Sequence, residues 1–180
     1  MCSSDLEYLD SVLQMITLSE GDRDLQEIRQ ELMDNGYLRQ HKRKMTAKGK
    51  VKIIHAKPME FRSSAGLTIL VGKNNSQNDR LTLKDSDKRD LWFHVQKLHG
   101  SHVILKTGGV QPDDQSVTEA AMLAAWFSQA KDSAQVPVDV TPVKAIKKPT
   151  GAKPGFVIYN TYNTVYVTPQ EDLVKKLRVK

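Results

Sequence analysis

Asp90-Leu91-Trp92-Phe93-His94-Val95 reads as a β-strand with two unlike faces. Successive side chains on a strand point to opposite sides. Leu91, Phe93 and Val95 therefore share an apolar side that belongs in a core, while Asp90, Trp92 and His94 share the other. Residues 102–107 repeat the logic, with Val103 and Leu105 on one side and His102, Ile104 and Lys106 on the opposite one. Gly100 marks a turn between them, so the two strands predict an antiparallel pair.

Working outward, Phe61-Arg62-Ser63, Thr68 to Val71 and Leu81-Thr82-Leu83 are shorter strand candidates around turn signals at Ala65-Gly66 and Gly72 to Asp79. Ser116-Val117-Thr118-Glu119 is a capping box that opens a helix running to about Asp132. That helix is apolar nearly all round from Ala120 to Phe127, which predicts burial on more than one side. Val138 to Val143, Phe156 to Tyr159 and Thr164 to Thr168 predict closing strands, with Tyr162-Asn163 at a hairpin turn. A short helix follows from about Gln170 to Leu177. At the other end, Leu6, Leu9, Leu13 and Ile16 give one amphipathic helix. Leu25, Ile28 and Leu32 give a second, with Asp22 as its N-cap and Asn35-Gly36 as its stop. The expected architecture is α+β: a mostly antiparallel sheet on one long buried helix over 59–180, preceded by a short antiparallel helical hairpin over 1–38, with 39–58 as a basic linker.

The net charge of +6 conceals a reversal of sign. Residues 1–35 carry nine acids and two bases, a net −7; residues 36–180 carry 25 bases and 12 acids, a net +13. From Asn35 to Met59 there is no acid, while Arg39, Lys42, Arg43, Lys44, Lys48, Lys50, Lys52 and Lys57 supply eight cations. Such a break predicts an anionic partner for the second unit, or docking of the acidic helices on the basic part. The longest apolar run, Ala120 to Phe127, is far short of the ~20 residues that span a bilayer, so no membrane insertion is expected. The acidic N-terminus shows no secretory signal pattern. One cysteine, Cys2, excludes an internal disulfide framework and a Cys-based zinc site, and suits the cytoplasm.

Three stretches could carry chemistry. The row Asp90, Trp92, His94 offers a flat π-face with hydrogen-bonding neighbours, suited to stacking on an unpaired base; the competing reading has Trp92 covered by the helix at 116–131. Gly72-Lys73-Asn74-Asn75-Ser76-Gln77-Asn78-Asp79 concentrates amides that can hold phosphates, sugars or base edges, or satisfy a turn's own backbone. It lacks the P-loop pattern, and no helix is predicted after it. Lys147-Lys148-Pro149-Thr150-Gly151-Ala152-Lys153-Pro154-Gly155 is a stiff, basic loop suited to phosphate. His94, His99 and His102 match no zinc spacing, and Ser101, His102 and Asp90 lack a nucleophile elbow, so no metal, cofactor or catalytic activity is expected.

Together, Gly-Lys-Asn-Asn-x-Gln-Asn-Asp at 72–79, Asp-x-Trp-Phe-His at 90–94, Gly-Ser-His-Val-Ile at 100–104 and Lys-Lys-Pro-x-Gly-Ala-Lys-Pro-Gly-Phe-Val at 147–157 resemble the NFACT-R domain of the NFACT family. The similarity covers roughly 60–170, and residues 4–35 look like the returning end of the family's coiled coil. His99 stands where the family usually has proline. The resemblance implies a C-terminal, RNA-binding-type module of a longer protein whose N-terminal tRNA-recognition domains lie elsewhere. It further implies ribosome-associated quality control, with large-subunit rRNA and tRNA as partners and untemplated alanine tailing of stalled chains as the outcome. Streptococcal-type members are also described as fibronectin-binding surface proteins, which makes a cell-surface adhesin the alternative. The residues expected to meet nucleic acid are Lys73, Asn74, Asn75, Gln77, Asn78, Asp79, Asp90, Trp92, His94, Ser101, His102, Lys106, Lys147, Lys148 and Lys153, helped by lysines of 42–57 and 175–180.

Overall fold

The computed structural model describes residues 3–39 and 56–179; most of the expected basic linker, residues 40–55, lies outside the described residues. The elements in chain order are α1 (Ser3–Thr17), α2 (Asp22–Asp34), β1 (Met59–Arg62), β2 (Thr68–Val71), α3 (Asn75–Leu83), β3 (Leu91–Val95), β4 (Val103–Leu105), α4 (Asp114–Trp126), β5 (Val136–Pro142), β6 (Asn163–Val167) and α5 (Glu171–Leu177). The strands form a six-stranded sheet in the order β1-β2-β4-β3-β5-β6. Every neighbouring pair is antiparallel.

The alternation along β3 and β4 decides which residues go where. Phe93 sits opposite Val103 and Val140 in the register, and Trp92 sits opposite Ile104 and Thr141. Phe93, Val95, Val103 and Leu105 join Phe61, Ile69 and Val71 on one face, where α4 lays Ala120, Ala121, Leu123 and Ala124 against them. Alanines let the helix approach the sheet closely, and this is the main apolar core. Trp92 and Ile104 lie on the opposite face with Leu81, Val143 and Ile146 in a second, smaller cluster. Tyr8, Val12, Met15 and Ile28 close a third between α1 and α2.

Several local expectations change. Leu81-Thr82-Leu83 is helical, not a strand: Asn74 caps α3 by accepting the Gln77 N–H at 2.7 Å, so the asparagine-rich stretch starts a helix. α4 begins at Asp114 because Asp113 accepts the Ser116 N–H at 2.8 Å; Ser116 is not the cap, and the helix ends at Trp126, short of Asp132. Glu119 is therefore released from any capping box and, fully buried, accepts from Ser64 N at 2.8 Å and Gln115 Nε2 at 3.0 Å. Phe156 to Tyr159 is no strand; Ile158 only bridges Lys147. Tyr162-Asn163 closes no two-residue hairpin, since β6 begins at Asn163 and pairs with β5 across a long connection. The N-cap of α2 is Gly21 instead of Asp22; Asp24 reaches back to the Glu20 N–H at 3.0 Å. Gly36, at φ 81°, takes the left-handed conformation expected at the helix stop.

Candidate nucleic-acid interface

The three motif stretches meet on the Trp92 face of the sheet. Asn78, one turn into α3, accepts the His102 N–H at 3.1 Å. Asp79 accepts the Gly155 N–H at 3.0 Å and pairs with Lys148 at 2.8 Å. The ring of His102 spans the remaining gap: Nε2 lies 3.2 Å from the Gly155 carbonyl and Nδ1 2.8 Å from Thr82 Oγ1. A carbonyl only accepts, so Nε2 carries the proton and Nδ1 accepts from the threonine hydroxyl. Lys148 also donates to the Lys153 carbonyl at 2.7 Å. The 147–156 loop is thereby pinned from beneath, and much of the motif chemistry is spent on holding it.

Asp90 is likewise a scaffold group. Its carboxylate accepts the N–H groups of Asp87 at 3.0 Å, Thr107 at 2.9 Å and Gly108 at 3.0 Å, and pairs with Lys106 at 3.1 Å. Trp92 is only 1% exposed, so it is not an open stacking platform. What covers it is α3 and the 143–159 segment on its own side of the sheet; the helix at 116–131 packs on the other side. Ser101 is fully buried, and its Oγ has no hydrogen-bond partner among the described residues.

The acidic hairpin docks on the asparagine-rich stretch. Glu31 accepts the Ser76 N–H at 2.7 Å at the start of α3, Glu27 accepts from Asn74 Nδ2 at 2.8 Å, and Ser11 accepts from Asn75 Nδ2 at 2.8 Å. Gln77 takes the Lys73 N–H at 2.7 Å and donates to the Ala56 carbonyl. Three ion pairs join the same halves: Asp24 with Lys73, Asp5 with Lys153 and Glu20 with Arg178. Lys153 also lies 4.8 Å from the Tyr37 ring centroid. Carboxylates of the hairpin thus hold positions that the sequence suggested for phosphates.

Between α1, the 97–100 turn and the pinned loop lies a cavity of about 840 Å³. Its floor carries Trp92 and His94, stacked at 5.5 Å and 11°. Tyr159, held by Asp139 at 2.9 Å, meets Trp92 edge-on. Burial pushes the imidazoles of His94 and His102 below their ordinary range. In the unfolded chain both titrate near ~6.5, so there the unfolded state binds more protons and stability falls as pH drops below that value. Each histidine contributes up to ~1.4 kcal/mol per pH unit in that window. Asp79, raised by burial against the pull of Lys148, works in the opposite sense, whereas Glu20, held below its ordinary range by Arg178, adds to the loss at lower pH. Urea unfolding at neutral and mildly acidic pH is expected to show the loss; an unchanged midpoint would contradict it.

Sequence reasoning named Lys147 but missed the lysines that stand near it, Lys88 and Lys144 above all. The Lys144 N–H donates to the Lys88 carbonyl at 2.9 Å and Val143 N–H to that of Asp90, which brings the 84–89 turn beside residues 143–147. Lys84, Lys88, Lys144 and Lys147 are exposed there and have no ion-pair partner among the described residues. Alternating signs in Lys84-Asp85-Ser86-Asp87-Lys88 hid the cluster, because Asp85 and Asp87 are taken by Arg80 and Arg89.

Residues 57–160 match the model of the NFACT protein RNA binding domain. The chain belongs to the NFACT family. This NFACT chain is 45% identical over 179 residues to the Rqc2 homolog RqcH of Bacillus subtilis (strain 168), covering 99% of itself and 30% of that protein. It is 44% identical over 175 residues to the Rqc2 homolog RqcH of Streptococcus suis (strain 05ZYH33), again over 30% of the relative. The NFACT chain thus spans about a third of the curated relatives it matches. Its fold is that of the C-terminal part of the fibronectin/fibrinogen-binding protein of Streptococcus suis, with TM-score 0.86 and 42% identity over 98% of this chain and 68% of that one. Among the described residues no helix is long and apolar enough to cross a membrane, and no group of His, Cys, Asp and Glu has the makings of a metal site.

Proposed function

We propose that this chain is the C-terminal RNA-binding module of a cytoplasmic, ribosome-associated quality control protein. It contacts large-subunit rRNA, tRNA or both, and so supports alanine tailing of stalled nascent chains by binding alone, without catalysis. The match of residues 57–160 to an RNA-binding domain carries this reading; the likeness to Rqc2 homologs named RqcH supports it, and the motif resemblance extends it to stalled ribosomes. The unpaired lysines at 84, 88, 144 and 147 supply a surface for phosphates, whereas Lys73 and Lys153 are committed to the hairpin. Binding to large ribosomal subunits and to structured RNA across a salt series tests the proposal. Each phosphate contact contributes about 0.9 to the log–log salt slope, so Lys88→Glu with Lys144→Glu is expected to lower the slope by about 2. No RNA binding at low salt would overturn the reading.

A second reading is a fibronectin-binding module at the cell surface. The name of the Streptococcus suis structural relative favours it, as does the outer edge of β6, which has no strand partner among the described residues. An extended peptide could add there as a further strand. Surface plasmon resonance against fibronectin at physiological salt separates the two: a response abolished by modest salt is charge attraction only.

A further inference from the structure

The cavity above Trp92 has features that neither the pinned loop nor the hairpin contact requires. Phe156 lines it and is 52% exposed, a large aromatic face left at the rim. Trp92 lines the floor, and its buried Nε1–H, a donor with no other role, lacks a partner among the described residues. Such an unmet donor costs about 1–3 kcal/mol. Lys97, also on the lining, holds a left-handed backbone at φ 57°, a strained conformation for a side chain of this type and one that clusters at binding sites. At about 840 Å³ the space lies in the range of small-molecule and cofactor sites and exceeds what a single water needs.

We propose that this cavity receives one unpaired nucleobase, stacked on Phe156 above the aromatic floor of Trp92 and His94, with Lys97 near the attached phosphate. The proposal rests on the RNA-binding reading and names the part of the RNA that is read: a splayed single-stranded residue, distinct from the phosphates met by the lysine cluster. A flat heteroaromatic ring suits the site better than a purely apolar ligand, because the floor adds polar groups to the aromatic ones. Phe156 presents its backbone, not its ring, to the loop: its N–H donates to the Lys153 carbonyl at 3.1 Å and its carbonyl accepts from Lys148 at 3.2 Å. Its side chain can therefore be removed without untying the loop.

The test uses the whole chain carrying Trp126→Phe, which leaves Trp92 as the sole indole, titrated with short oligouridylate, short oligoadenylate, a mononucleotide and duplex RNA. Single-stranded RNA is expected to quench or shift Trp92 emission. Phe156→Ala is expected to weaken single-strand binding roughly 5- to 150-fold, the range of one base–aromatic stack, and to leave duplex affinity unchanged. Tighter binding of the oligonucleotide than of the mononucleotide assigns the base to an RNA strand; equal affinity assigns the pocket to a free nucleotide. Single-stranded RNA that binds without any Trp92 response, and with an affinity that Phe156→Ala leaves unchanged, overturns the pocket and leaves the RNA-binding reading intact. Absence of all RNA binding at low salt overturns both. Thermal melting of Phe156→Ala close to that of the parent shows that the loss is not one of folding.

Discussion

Asp90→Ala is expected to destabilise the domain by about 3–5 kcal/mol, the cost of removing one partner from a buried, multiply bonded charge. The carboxylate is 1% exposed and gathers three backbone N–H groups besides Lys106. Alanine leaves those donors facing a dry gap at the start of β3 and leaves Lys106 with only the Asp85 carbonyl. Asp90→Asn keeps the shape and one acceptor oxygen, but turns an amide N–H₂ toward donors, so roughly 1–2 kcal/mol should be lost. Urea unfolding at neutral pH checks both values. RNA affinity measured well below the melting temperature should be unchanged in either variant, because the group lies beneath the surface that meets phosphates. A loss under 1 kcal/mol for alanine would remove Asp90 from the scaffold.

The second large effect is expected at Gly72, where the constraint is spatial instead of electrostatic. A Cβ built there would stand 2.0 Å from Asn78 Oδ1 and 3.3 Å from Asn78 Cα. The amide would have to swing away, and its oxygen is the acceptor for the buried His102 N–H. Gly72→Ala therefore combines overpacking, which typically costs about 1–3 kcal/mol, with an unmet buried donor of similar magnitude. A total near 3 kcal/mol is expected in equilibrium unfolding. Loosening of the 147–156 loop should follow, since His102 holds it through Gly155, and amide hydrogen exchange at Gly155 and Phe156 should accelerate. Stability within ~0.5 kcal/mol of the parent, the range of neutral surface changes, would show that Asn78 relocates freely.

What was legible in the sequence was the period-two pattern. Leu91, Phe93 and Val95 against Asp90, Trp92 and His94 assigned the two faces of β3 correctly, and the all-apolar run at 120–127 marked the buried helix. What was not legible depended on partners distant in the chain. Leu81-Thr82-Leu83 has a strand's composition, yet the cap at Asn74 and the carboxylate of Glu31 at the Ser76 N–H set a helix running through it. The amides of 74–78 and the row Asp90, Trp92, His94 were read as outward-facing because their residue types suit nucleic acid. They turned out to face the hairpin, the loop and one another. Residue type announced a polar network but could not say whether its partner was RNA or the chain itself. The lysines at 88 and 144 were missed for the converse reason: only the backbone bond between them makes them neighbours.

The two ends of the sheet are not equivalent. Along the outer side of β1, Arg178 bridges Phe61 and the Val179 N–H donates to the Glu60 carbonyl, so the last described residues seal that border. On the far border, β6 exposes Tyr166 at 63% and has no strand beyond it among the described residues. A ribbon of molecules joined border to border grows only if each unit offers two open ends. With one end plugged, such pairing stops at two copies, so edge association is self-limiting: the C-terminal residues act as a chain terminator against fibre growth.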